Sequence, residues 1–234
     1  MSGAGAVVLG CFRDIPQEIE ADWNHWYDTS HMPARLALPG FLAARRFKAY
    51  EGEYQYLSLY ELESADALTS EPYRALKHRE ALLPATSFEA RTPGLPGFLR
   101  GVYRQVYPET AYEMPDTGYL FVVAHDIPPH KEDEFTAWYD TEHIPAMLRV
   151  AGFVTARRFK LAQLTDALGR QSPCPQYLSL YDLADRNAVE SEQFIRDRES
   201  PWSSWVRSWY TRRLRIKARR ITRLLAPGHT RSSS

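Results

Sequence analysis

Residues 26–33 read Trp-Tyr-Asp-Thr-Ser-His-Met-Pro, and residues 138–145 read Trp-Tyr-Asp-Thr-Glu-His-Ile-Pro, a constant 112 positions later. The correspondence continues. Across 26–48 and 138–160, 15 of 23 positions are identical, among them Gly40-Phe41 with Gly152-Phe153 and Ala44-Arg45-Arg46-Phe47-Lys48 with 156–160. A third block, Tyr56-Leu57-Ser58-Leu59-Tyr60, returns at 177–181 with an offset of 121, so the second copy carries nine extra residues. This period is too long for a solenoid unit and matches a small domain. The chain therefore reads as two copies of one module, 1–109 and 118–226, joined by 110–117 and followed by a tail, 227–234, expected to be disordered.

Composition narrows the functional classes. An apolar content of 44% supports packed cores rather than disorder. The 29 basic and 29 acidic residues cancel, which argues against general nucleic-acid affinity. Residues 207–223 hold eight basic residues and no acid, but they alternate with Leu214, Ile216 and Ala218, as in a strand whose arginines are solvated or paired. Cys11 and Cys174 occupy non-equivalent places and form neither a metal spacing nor a disulfide framework, which suits a cytoplasmic location. No apolar run approaches the roughly 20 residues of a membrane-spanning helix. Val8-Leu9-Gly10-Cys11 lacks the basic flank and the long apolar stretch of a signal peptide.

Each copy reads strand, helix, strand, strand, helix, strand. First strands are expected at 6–13 and 118–126, and first helices at 17–36 and 130–150, with acids clustered early as the helix dipole favours. Pro33 and Pro145 should break or kink those helices, since proline supplies no amide hydrogen. Second strands follow Gly40 and Gly152, with Phe41, Ala43, Arg45 and Phe47 on one face. In the third strands Tyr56, Ser58 and Tyr60 alternate with Leu57 and Leu59, giving one aromatic, polar face and one aliphatic face. Second helices are expected at 65–80 and 186–198, a further helix at 201–210, and last strands at 99–107 and 213–224. This order matches the ferredoxin-like βαββαβ motif, whose sheet has one face bare of helices. The two bare faces should pack on each other and enclose a chamber lined by the aromatic and polar set.

The octapeptide, the following Gly-Phe turn and the Ala-Arg-Arg-Phe run resemble the EthD-like branch of the dimeric α+β-barrel superfamily, in two fused copies. The resemblance implies an α+β fold in which tandem ferredoxin-like modules form an intramolecular, pseudo-dimeric barrel with an internal cavity. That superfamily includes cofactor-free monooxygenases, lactone isomerases, polyketide cyclases, lyases and some haem proteins, and fold analogy does not choose among them.

The repeated motif supplies candidate chemistry. Asp28 and His31 are three apart and Tyr27 and His31 four apart, so they can meet on neighbouring helical turns, and Asp140, Tyr139 and His143 repeat the spacing. A carboxylate orienting an imidazole leaves its other nitrogen as a base near neutral pH, and a phenol can donate to a developing oxyanion. The competing account is a structural Asp–His pair at a helix end. Arg45 and Arg157, sharing a face with phenylalanines, are candidate anchors for a substrate anion, against an internal ion pair with Asp28 or Asp140. Tyr56, Tyr60, Tyr177 and Tyr181 are candidate cavity walls for an aromatic ligand. His125 opposes Arg13 or Phe12 in the other copy, an asymmetry expected if one half keeps the active site. No attachment motif singles out a haem ligand, and Asp28 with His31 is too few for zinc, so no cofactor is expected.

These readings favour a cofactor-independent enzyme performing His/Asp/Tyr acid–base chemistry, as a lyase, isomerase or cyclase, on a small aromatic or polyketide-like compound. The alternatives are a cofactor-free monooxygenase of a phenol and a non-catalytic small-molecule binding protein. Neither nucleic acid nor membrane is an expected partner. Trp202, Trp205 and Trp209, if exposed, would suit a homodimer.

Overall fold

In a computed structural model, residues 5–95, 97–109, 114–162 and 173–228 are described. The expected tail at 227–234 and linker at 110–117 fall largely outside these residues, as does most of the nine-residue insertion of the second copy. The first half contributes β1 (Val7–Arg13), β2 (Phe41–Gly52), β3 (Tyr56–Leu62) and β4 (Leu99–Tyr107), and the second β5 (Tyr119–Asp126), β6 (Phe153–Leu161), β7 (Tyr177–Leu183) and β8 (Arg212–Leu225). All eight join one closed barrel in the order β1-β3-β2-β8-β5-β7-β6-β4. The two sheets are thus not merely stacked. They are hydrogen-bonded at two antiparallel seams, β2 with β8 and β4 with β6, so that every strand of the barrel has a neighbour on both sides.

Helices cover the outside of the barrel. In the first half these are α1 (Glu20–Trp26), α2 (Met32–Leu36), α3 (Glu71–Ala81) and α4 (Phe88–Arg91). In the second they are α5 (Glu132–Trp138), α6 (Ile144–Leu148), α7 (Glu192–Asp197) and α8 (Pro201–Arg207). Gly40 and Gly152 take positive φ of 81° and 93° at the turns into β2 and β6. A Cβ there would lie 2.9 Å and 2.8 Å from the Cβ atoms of Ala67 and Ala188, so those turns require glycine. Of the three clustered tryptophans, Trp209 is buried and Trp205 is exposed, so they form no continuous aromatic patch.

Strand alternation is as the sequence implies, but the space between the sheets is filled rather than hollow. The aliphatic face turns inward: Leu57, Leu59, Leu178 and Leu180 pack with Val8, Phe12, Phe47, Val122, Phe159 and Ile216 inside the barrel. Tyr56 and Tyr60 face outward beneath α1 and α2. The physical reason is hydrogen bonding. A closed barrel offers few partners to a phenol, whereas the helix layer supplies them: Asn24 donates to the Tyr56 hydroxyl at 2.9 Å, and the Tyr60 hydroxyl donates to that of Tyr27 at 3.0 Å. A register shift between Phe41 and Ala43 also sends Phe41 to the helix side, off the face it was expected to share with Arg45.

Four charges sit inside this apolar barrel. Arg45 pairs with Asp182 of the other half, and Arg157 reciprocates with Glu61 through two hydrogen bonds of 2.8 Å. Arg45 also lies 3.9 Å from Glu61, so the pairs form one crossed network, with Arg45 and Arg157 each 1% exposed and both acids fully buried. The expected anion-anchoring role of Arg45 and Arg157 is therefore corrected. Their charges are spent on carboxylates of the opposite half, out of reach of any ligand. Their sequence neighbours point the other way, Arg46 to Asp28 at 2.5 Å and Arg158 to Asp140. Replacing Arg157 with Ala leaves Glu61 buried beside only the more distant Arg45 and should destabilise the fold by about 3–5 kcal/mol in urea unfolding. The double change Arg157→Met/Glu61→Met should recover most of that loss.

Candidate active site in the first half

The repeated octapeptide builds the site through an irregular helix. Proline at 33 does not break it. The chain widens for one turn, so that the Met32 amide donates to the Tyr27 carbonyl five residues back, and the turn at 139–143 does the same with Ile144 and Tyr139. Such π turns absorb a residue whose amide is missing. The threonine of the motif completes the repair: Thr29 Oγ1 donates to the His25 carbonyl at 2.7 Å, and Thr141 Oγ1 to that of Ala137 at 2.7 Å.

This widening decides who meets whom. Side chains five apart now touch, and the His31 ring lies 4.7 Å from Trp26 and 4.5 Å from Tyr27 between centroids. His143 stacks on Trp138 at 4.4 Å. Asp28, expected to orient His31, turns to the sheet instead, where it accepts from Arg46 and from Thr222 Oγ1 at 2.8 Å. Asp140 is likewise bound by Arg158. The Nδ1 atoms of both histidines are buried without a hydrogen-bond partner among the described residues. The ordinary helical spacing behind the Asp–His reading does not apply where the turn is wide.

A cavity of about 830 Å³ lies between the outer sheet face of the first half and its helices. Trp23, Trp26, Tyr27, Tyr56 and Tyr60 give it aromatic walls, and Leu9, Cys11, Ser58, His31, Arg13, Arg35 and Arg100 also line it. Its rim includes the exposed residues Lys77 and Phe98. Burial, reinforced by the positive charges of Arg35 and Lys77, holds the His31 pKa well below the usual histidine value, so its imidazole is neutral at neutral pH. Burial likewise raises the phenols of Tyr27 and Tyr60, keeping them protonated as hydrogen-bond donors. Arg35 is matched by Glu80 at 2.5 Å, which Lys77 also contacts at 2.7 Å. The Trp26 indole donates to Glu89 on α4 at 2.7 Å, tying that short helix over the cavity.

The second half keeps the motif but not the space. Only about 60 Å³ remains at the matching place, room for one or two waters. Strand register aligns Leu9 with Phe121, Cys11 with Val123 and Arg13 with His125, since Leu9 pairs with Tyr60 as Phe121 does with Tyr181. Phe121 fills the volume left open at Leu9, and Tyr210 from the segment after α8 packs against His125 with ring centroids 4.0 Å apart. His143, Tyr139, Tyr177, Tyr181 and His125 therefore sit in a packed core, whereas His31, Tyr27, Tyr56 and Tyr60 face a cavity. The motif reading missed Arg13, Arg35, Arg100 and Cys11. One signal was available: the repeat is broken where Arg35 faces Met147.

Comparison with known proteins supports the fold. No protein-family model and no curated protein matches the chain. Among solved structures, an anthrone oxidase-like protein superposes over 100% of this chain and 99% of its own, with a TM-score of 0.67 and 13% identity. A candidate monooxygenase from Fusobacterium nucleatum covers 94% of this chain and 95% of its own at a TM-score of 0.59 and 8% identity. A haem-binding protein from Thermus thermophilus covers 92% and 91% at 0.50 and 16%. The architecture is that of the dimeric α+β barrels, here closed within one chain. The last match corrects the expectation that no cofactor is used: a haem-binding protein shares this fold, so the fold gives no ground for that expectation. The cavity's own residues are compatible with such a group, because His31 lines it as a neutral imidazole, the form that binds iron.

The buried histidines give the protein a defined acid sensitivity. Burial, together with Arg213 for His125 and Arg207 for His143, lowers both pKa values to about 3, from an unfolded value near 6.5. Between these limits the unfolded chain binds more protons, so stability is complete above pH 6.5 and declines as the pH falls toward 3. His125→Gln should flatten that decline in urea midpoints measured from pH 7 to pH 4.

Proposed function

We propose that this chain is an enzyme acting on a small aromatic or polyketide-like molecule, with its working site in the cavity of the first half. One observation carries the reading: among the described residues, of two copies of the same motif only the first faces a large cavity, about 830 Å³ against about 60 Å³. Pockets for small-molecule ligands generally span about 300–1,000 Å³. The walls of Trp23, Trp26, Tyr56 and Tyr60 suit a flat ring system.

In this reading His31 is the base. Its neutral imidazole accepts a proton from an acidic carbon or phenol, while the Tyr27–Tyr60 hydroxyl pair donates to the oxygen on which charge develops. His143, Asp28, Asp140 and Tyr139 act as scaffold: the two aspartates hold Arg46 and Arg158, and the second-half histidine is packed in. Should a haem occupy the cavity, His31 is the residue to hold its iron, and the group would supply redox chemistry that the side chains lack. The EthD-like affiliation is part of the same proposal and rests on the octapeptide.

Two outcomes test the assignment. In a screen of polyketide-like phenols and anthrones followed by mass spectrometry and oxygen uptake, His31→Gln should lower turnover by about 10²–10⁴-fold, the usual share of a general base. His143→Gln should leave it within twofold, and equal losses in both variants would reject the one-sided site. Oxygen uptake with the turnover marks a monooxygenase rather than a lyase or isomerase, and a His31-dependent absorbance band on adding haemin marks haem binding. Leu9→Phe, which copies the filled second half, should abolish ligand-induced thermal stabilisation while leaving the unliganded protein folded.

A further inference from the structure

Among the described residues, Arg13 is the one strongly buried cation of this cavity with no carboxylate to match it. Its side chain is 4% exposed, its Nη1 donates to the Thr92 carbonyl at 2.5 Å, and its guanidinium lies 4.1 Å from the Phe98 ring centroid. Neither contact neutralises its charge. The other deeply buried arginines of the sheet that face a core are paired: Arg45 with Asp182, Arg46 with Asp28, Arg157 with Glu61 and Arg158 with Asp140. Arg35, in the same cavity, has Glu80. A lone buried charge is costly, and a fold that matches these five leaves Arg13 for something that arrives later.

Arg100 stands beside it. On β4 it pairs in register with Cys11, two residues along β1 from Arg13, so the two arginines are diagonal neighbours on the outer sheet face. Diagonal cross-strand side chains of this length reach one another. Among the described residues Arg100 forms no ion pair, and it lines the same cavity. Two guanidiniums lining one cavity from diagonal positions on adjacent strands can together supply the donors that a carboxylate accepts on both oxygens. Of the acids lining the cavity, Glu80 is held by Arg35 and Lys77, Glu89 accepts from Trp26, and the exposed Asp66 accepts from the Ser64 hydroxyl and pairs with neither arginine. The arginine pair lies on the strand floor beside Tyr56, the register partner of Arg13, with Trp23, Trp26, Tyr27 and His31 on the helix side.

We infer that the ligand of this cavity is a planar aromatic carboxylate whose acid group is bound by Arg13 and Arg100, its ring system lying between the tryptophan and tyrosine walls. The inference rests on the enzyme reading above and narrows its substrate class.

The test uses the full chain and two probes of nearly the same shape, the anionic anthraquinone-2-carboxylate and the neutral anthraquinone-2-carboxamide, followed by quenching of tryptophan fluorescence. The carboxylate should bind at least about tenfold more tightly than the amide. Arg13→Gln should reduce that preference to within about twofold, Arg100→Gln should reduce it in part, and Arg13→Lys should restore some of it. His31→Gln should leave the preference in place, which separates binding of the acid from proton transfer. Equal affinity for both probes in the native protein overturns the anchor and leaves the cavity reading standing. Failure of both probes to bind overturns the two together. A preference that survives in a folded Arg13→Gln protein, checked by its melting temperature, also overturns it.

Discussion

The structure depends on closing two sheets into one barrel around a crossed set of charges. Arg45 reaches Asp182 and Arg157 reaches Glu61, each pair spanning the two halves. Ion pairs so deep contribute little net stability, because desolvation offsets most of the attraction. Their value is in register. An arginine slipped by one residue on either seam would face the helices and leave a carboxylate alone in an apolar interior, so only one alignment of the halves satisfies all four groups. The leucines and phenylalanines around them supply the driving force, and the charges choose among the ways of packing those side chains.

Filling the barrel displaces function to its outside. With the aliphatic faces consumed by closure, the phenols of β3 and β7 turn to the helices, and a cavity can form only between sheet and helix layer. Two nearly identical octapeptides then meet two different fates. In the first half Leu9 leaves space above Tyr60; in the second, Phe121 and Tyr210 occupy it. Fusion in one chain permits this division, since a substitution in one copy is not imposed on the other as it would be in a true dimer.

Much of the fold was legible in the residues. The strands, their alternation and the pairing of halves follow from the repeat and from period-two patterns at Tyr56–Tyr60, and the opposite directions of Arg45 and Arg46 follow from the pleat. The site was harder to read. The Asp28–His31 pairing assumed a regular helix, and the π turn forced by Pro33 moved His31 against Trp26 and Asp28 against Arg46. Arg13 carried no local mark at all, because its importance lies in an unmatched charge, which no sequence window displays.

The amino-acid sequence alone determined that two βαββαβ halves exist and that each carries the same tryptophan, tyrosine, aspartate and histidine on its first helix. Periodicity and local propensity are enough for that, being properties of neighbouring residues. Tertiary structure decided which sheet face is inside, which half keeps an open cavity and which arginine is left with its charge unmatched. These depend on the volume and partners supplied by residues far along the chain, on Phe121 against Leu9 and on Asp182 against Arg45, and such sums are made only when the barrel closes.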